Sequence, residues 1–251
     1  MLSKNAKKII NNYLSLPFKN KGGVQCPYFN NARSKQRGQL RSLVGKGTPK
    51  EIIEEVEILT KQYGINLENL NTEEIKKFLV EHNLGIECSG FITNVLQQHY
   101  LEKDKINLIK KIFIPTKNFF RKIIVSFRKI ENINVKALAN PKNSILVKDW
   151  KKVQAGDLII MLQTGPNNTR DHIILITGNE LSIIKYVHAR QWSSEGKYHH
   201  GVQTGEIKVT NPQKNLLNQT WTEKEKQGEN NETFMEAKNA KILEIRRIKI
   251  N

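Results

Sequence analysis

The feature that most constrains this chain is a change of hydrophobic period near Leu146. Before it, apolar residues recur at helical spacing. After it, they gather in short Ile-rich runs bounded by Gly, Asn and Pro. A 3.6-residue period needs a helix, and short β-branched runs between turn residues need strands. Helices first and strands afterwards predict an α+β fold rather than alternating βαβ units.

The helical half has clear boundaries. Residues 4–15 form a short helix ending before Leu16-Pro17, and Lys21-Gly22-Gly23 reads as a turn. Val24 to Phe29 is extended, since Pro27 turns Cys26 away from helical geometry. Residues 31–48 are a basic loop with a helical turn or two, carrying Arg33, Lys35, Arg37, Arg41 and Lys46. Thr48-Pro49-Lys50-Glu51 is a capping box with proline at the first helical position. Ile52, Ile53, Val56 and Leu59 continue that helix to Gly64. Asn71-Thr72-Glu73-Glu74 opens the next, with Ile75, Phe78 and Leu79 inward. A third runs from Cys88 to about Leu101, with Phe91, Ile92, Val95, Leu96 and His99 on one face.

The later runs are 157–162, 172–177, 181–188, 205–210 and 242–250, an antiparallel sheet of about five strands. Gly178-Asn179-Glu180 reads as a hairpin turn, and residues 211–235 as a long polar loop. No internal repeat is present. The chain of 251 residues is long enough to bury a core without disulfides. It holds two cysteines, Cys26 and Cys88; a bridge between them would silence both thiols.

Lys and Arg number 41 against 24 Asp and Glu, a net charge of +17. Such an excess favours polyanions, although a solvated basic surface explains it equally well. Residues 102–136 interleave Lys and Arg with Ile, Leu and Phe around Pro115. They form either an anionic-polymer or membrane surface or an insertion packed on the body, the latter being the simpler reading. The start is charged, but Asn11 and Asn12 interrupt any apolar stretch, so no secretory signal is read. No run approaches the ~18 apolar residues of a spanning helix. Cytoplasmic residence or non-classical export is expected.

Cys88 holds the strongest chemical position. A thiol at a helix N-terminus meets unsatisfied N–H groups and the positive end of the helix dipole, which favour the thiolate nucleophile. A thiolate needs a base, and the base needs an orienting group. His82, His99, His172, His188, His199 and His200 are available. His172 starts one predicted strand and His188 ends the next, so a hairpin places them on one rim. A zinc site from Cys88, His188, His199 and His200 lacks ligand spacing; no metal and no cofactor is expected.

The chain then resembles the NlpC-type family of papain-like cell-wall cysteine peptidases. The blocks are Pro27-Tyr28, Glu87-Cys88-Ser89-Gly90-Phe91, Ala155-Gly156-Asp157-Leu158, His172 through Gly178, Val187-His188-Ala189 and Gly201-Val202, all in family order. Glu87 and Ala155 replace the family's Asp and Pro, the residues after His172 are bulkier, and the His172-to-His188 spacing is longer. The resemblance implies one papain-like domain over 1–251, with a helical insertion at 31–83 and a basic insertion at 102–145. Its nucleophile-bearing helix would pack on the antiparallel sheet.

By the same resemblance Cys88 attacks a carbonyl carbon, His172 is the general base and His188 orients it. The Cys88 N–H with the Tyr28 hydroxyl would hold the oxyanion, and Ser89 lies beside them on the substrate side. Asp171 is either a substrate contact or turn chemistry. The implied substrate is an amide in a peptidoglycan stem peptide, of the γ-D-glutamyl–diamino acid type. Another amide or an acyl ester is the runner-up, and a non-catalytic binder of anionic polymer or membrane is the reading from another class.

Overall fold

The computed structural model describes residues 1–19, 23–29, 40–116 and 118–250. Its helices are α1 (Lys4–Leu14), α2 (Pro49–Gln62), α3 (Thr72–Glu81), α4 (Cys88–Asp104), α5 (Leu108–Lys111), α6 (Phe119–Phe127), α7 (Lys129–Asn132), α8 (Val135–Ala139) and α9 (Glu232–Lys238). Its strands are β1 (Ser144–Leu146), β2 (Leu158–Thr164), β3 (Arg170–Glu180), β4 (Ile183–Arg190), β5 (Gly201–Lys208), β6 (Thr220–Thr222) and β7 (Ile242–Ile248). The strands form one antiparallel sheet in the order β1-β7-β2-β3-β4-β5-β6. The expected α+β class holds.

The expected count of about five strands is corrected to seven. β1 and β6 are three-residue edge strands, too short to carry an alternation, and pairing alone defines them. The expected loop over 211–235 is also corrected, because it contains β6 and the start of α9. The hairpin turn falls at Leu181-Ser182 rather than at Gly178-Asn179-Glu180. Glu180 pairs with Ile183, and Leu181 and Ser182 both take positive φ, 49° and 66°. That is the turn whose twist suits a two-residue hairpin, although Leu-Ser lacks the usual Asn-Gly signature. Gly178 instead lies at a register shift within β3.

The capping boxes form as read, at Thr48 with Glu51 and at Asn71 with Glu74. Lys21 and Gly22 of the expected turn, and Arg33, Lys35 and Arg37 of the basic loop, lie outside the described residues. Beyond them a 3-10 turn spans Arg41–Val44. Cys26 and Cys88 are both free thiols.

The sheet has a core on each face. Leu158, Ile160, Ile173, Leu175, Val187 and Ala189 join the core built with α1 to α4. Ile159, Met161, Ile174, Ile176, Ile184 and Tyr186 join a second, with Trp221 and Ala237 of α9. Alternate residues of a strand point to opposite faces, so the continuous Ile-rich runs are what a sheet buried on both faces requires.

α4 is the central helix. Residues Cys88 to Leu96 are buried without a break, so it is enclosed on all sides rather than on one. Its polar side chains are satisfied internally. Thr93 Oγ1 donates to the Ser89 carbonyl at 2.7 Å, and Asn94 Nδ2 donates to the Tyr13 hydroxyl at 2.8 Å. His99 Nδ1 accepts the Ser3 N–H at 3.0 Å, anchoring the start of α1.

Candidate active site

The approach to Cys88 is pinned by backbone bonds. The Ile86 N–H donates to the Pro27 carbonyl at 2.9 Å, and the Phe29 N–H donates to the Ile86 carbonyl at 3.1 Å. Tyr28 is thereby held alongside Ile86, two residues before the thiol, and its N–H donates to His200 Nδ1 at 3.0 Å. Glu87 is the N-cap but makes no side-chain cap bond. The Cys88 N–H is one of the first-turn donors that no carbonyl within the helix reaches.

Gly90 explains itself here. A Cβ on it would stand 2.3 Å from the Gly45 carbonyl oxygen, which also accepts the Glu87 N–H at 3.0 Å. Only glycine lets the helix start approach that carbonyl so closely. Beneath it lies Lys46, 3% exposed, whose ammonium meets the Glu87 carboxylate, Ser89 Oγ at 2.8 Å and the Ile133 carbonyl at 2.6 Å. Ser89 Oγ also donates to Glu87 at 2.6 Å. Ser89, 2% exposed, is therefore engaged in an internal network.

His172 and His188 come together as the hairpin expectation requires. His172 Nε2 lies 2.7 Å from His188 Nδ1. His188 Nε2 lies 3.0 Å from Glu223 Oε2. Glu223 follows β6 and is 1% exposed. Its Oε2 also accepts from the Tyr186 hydroxyl at 3.0 Å and the Thr233 hydroxyl at 3.1 Å, and its Oε1 accepts from Arg190 Nε at 2.5 Å. Burial raises the Glu223 pKa, but the adjoining His188 and Arg190 outweigh it and hold it at about 2. The group is an ionised acceptor.

That ionisation sets the protons of both rings. A carboxylate accepts only, so His188 carries its proton on Nε2. Where that is the only proton on His188, Nδ1 is an acceptor, and His172 donates to it from Nε2. The remaining nitrogen of His172, Nδ1, is left with a lone pair, and it makes no hydrogen bond among the described residues. Burial pushes His172 down to about 4, with His188 adding to the effect and Glu236 opposing it, so the ring is neutral at pH 7 and is a base.

The thiol and this relay stand on different elements, Cys88 at the start of α4 and the histidines on β3 and β4. Ile173 and Val187 face the core of α4, whereas His172 is register partner to Met161, on the opposite face. The histidines thus lie at the strand ends and not beneath the helix. One short segment joins the two parts: the Ile133 carbonyl accepts from Lys46, 3.2 Å from Ser89 Oγ, and Lys136 pairs with Asp171 at 3.5 Å. Glu236 of α9 acts electrostatically on both Cys88 and His172. No hydrogen bond links Cys88 to His172 among the described residues. Asp171 has a turn role, since its Oδ1 accepts the N–H of Gln163, a bulge residue with φ of 57°.

The resting thiol differs from the sequence expectation. Burial pushes Cys88 up to about 12, Glu87 and Glu236 add to this, and Lys46 and the Ser89 N–H oppose it. At 6% exposure, desolvation outweighs the helix terminus, so the resting group is a neutral thiol. A cavity of about 380 Å³ touches Tyr186, Gly205, Thr222 and Glu223 on the far side, apart from Cys88.

Sequence reasoning missed Glu223, Arg190, Tyr186 and Lys46. Glu223 lay in the supposed polar loop among Glu225, Glu229 and Glu232, and no local signal distinguished it. Both ring nitrogens of His188 are engaged, and among the described residues no group of three or more His, Cys, Asp or Glu is placed for a metal. No family model, no curated protein and no solved structure matches the chain.

Proposed function

We propose that the protein is a cysteine hydrolase that cleaves amide bonds through a thioester on Cys88. The observation that carries this reading is the ordered relay Glu223–His188–His172, which leaves His172 Nδ1 as an unprotonated base. His172 Nδ1 takes the Cys88 proton as sulfur attacks the carbonyl carbon. Because both groups rest neutral, the proton moves during attack rather than beforehand. The N–H of Cys88 and the Tyr28 hydroxyl stabilise the oxyanion. The tetrahedral intermediate expels the amine, which receives the proton held by His172. Water, deprotonated by His172, then cleaves the thioester and restores the thiol.

The substrate assignment rests on the resemblance to NlpC-type papain-like peptidases: a peptidoglycan stem peptide, cleaved at a γ-D-glutamyl–diamino acid amide. The test is digestion of purified peptidoglycan with mass analysis of the released peptides. Release by the native chain and none by Cys88→Ala supports the full reading. A covalent adduct on Cys88 with an activated amide or acyl ester, without peptide release, retains the thiol chemistry and moves the substrate. Absence of both sinks the enzyme reading.

A further inference from the structure

The helix α6 carries its apolar stripe on the outside. Phe120, Ile123, Ile124 and Phe127 stand at i, i+3, i+4 and i+7, one face of a helix. Their exposures are 78%, 41%, 56% and 85%. Val125, on another face, is 6% exposed and turned toward the body. A surface helix of a self-contained domain shows the reverse arrangement, with its apolar stripe inward. Phe113, 40% exposed, extends the patch.

Cations dominate around this stripe, with Arg128 paired to Glu131 at 2.7 Å. From Lys105 to Ile130 the chain holds eight Lys or Arg and no Asp or Glu. Lys110, Lys111, Arg121 and Lys122 are exposed. The expectation that this segment packs on the body holds for Leu108, Ile112 and Ile130, which are buried, whereas the α6 stripe faces solvent.

We infer that α6 is a docking surface for an anionic lipid bilayer, entering the interface with Phe120, Ile123, Ile124 and Phe127 while the surrounding cations meet lipid headgroups. An apolar stripe bordered by Lys and Arg matches both layers of such an interface, the acyl boundary and the charged headgroups. A second copy of the chain would bring the same cationic rim against itself. A nucleic acid would leave the branched aliphatic pair Ile123 and Ile124 without a stacking partner. Among the described residues no helix is long and apolar enough to cross a membrane, so the contact is with the surface. This inference is independent of the thiol chemistry.

The experiment is co-sedimentation of the full chain with vesicles of phosphatidylcholine alone and of phosphatidylcholine with one-third phosphatidylglycerol, at low and high salt. The native chain should bind the anionic vesicles, bind the neutral ones roughly tenfold less, and weaken with salt. Phe120→Ser with Phe127→Ser should reduce anionic-vesicle binding about tenfold or more, and Arg121→Glu with Lys122→Glu should do so through charge. These positions are exposed, so circular dichroism should remain unchanged. Equal binding of the native chain and the Phe variant overturns the inference, as does no vesicle binding. A stripe that instead drives self-association, or tight DNA binding unaffected by the Phe variant, would also overturn it.

Discussion

At the scale of single residues, Glu223 converts two adjacent histidines into a directed pair. A neutral His172–His188 contact could place its shared proton on either ring, and the carboxylate removes that freedom. Glu223→Gln should lower kcat/KM by about a hundredfold or more, in the way that replacing a triad carboxylate leaves the wrong tautomer. Because Arg190, Tyr186 and Thr233 also contact Glu223, a purely structural role must be separated by the pH–rate profile. An orienting role moves its acid limb, whereas simple destabilisation lowers the whole curve. The thiol makes a second prediction. With Cys88 pushed up to about 12 by burial, iodoacetamide labelling should keep rising above pH 8. A plateau near pH 6 would instead reveal a preformed thiolate and contradict the neutral resting pair.

At the scale of elements, the start of α4 depends on close backbone contact as much as on hydrogen bonding. Gly90→Ala would place a methyl 2.3 Å from the Gly45 carbonyl oxygen, a backbone atom also tied to Glu87. The helix start must shift. We expect a loss of about 1–3 kcal/mol in chemical denaturation, with turnover falling more than stability alone explains. The Thr48 cap is a simpler case. Thr48→Ala removes the Oγ1 that accepts the Glu51 N–H at 3.3 Å and should cost about 1 kcal/mol with activity retained.

At the scale of the whole molecule, burial of neutral histidines makes the fold acid-sensitive. His172 and His200 are each pushed down to about 4, chiefly by burial. The unfolded chain therefore binds more protons between about pH 6.5 and pH 4. Stability is full above pH 6.5 and falls as pH drops through that window, by up to roughly 1.4 kcal/mol per pH unit per group. Urea midpoints from pH 7.5 to pH 4 should show the decline beginning below pH 6.5, and His200→Gln should make it shallower. A midpoint flat to pH 5 would contradict the buried neutral state. Glu223, held at about 2, adds its own loss only below about pH 4.5.

The sequence by itself determined which segments are helix and which are strand wherever a local rule applied. The capping boxes at Thr48 and Asn71, the apolar stripes of α2 and α3, and the Ile-rich runs of β2 and β3 all act within a few residues. It also suggested that His172 and His188 meet, because two strands joined by a short turn bring their far ends together. Tertiary structure alone decided the rest. β1 and β6 exist only through pairing, since three residues make no pattern. Glu223 reached His188 from 35 positions away along the chain, a distance that no periodicity encodes. The outward face of α6 is equally non-local: its stripe was visible, but its direction depends on what the body leaves uncovered. The state of the thiol follows the same logic, because a helix terminus is local and favours the thiolate, whereas burial belongs to the whole fold and favours the thiol.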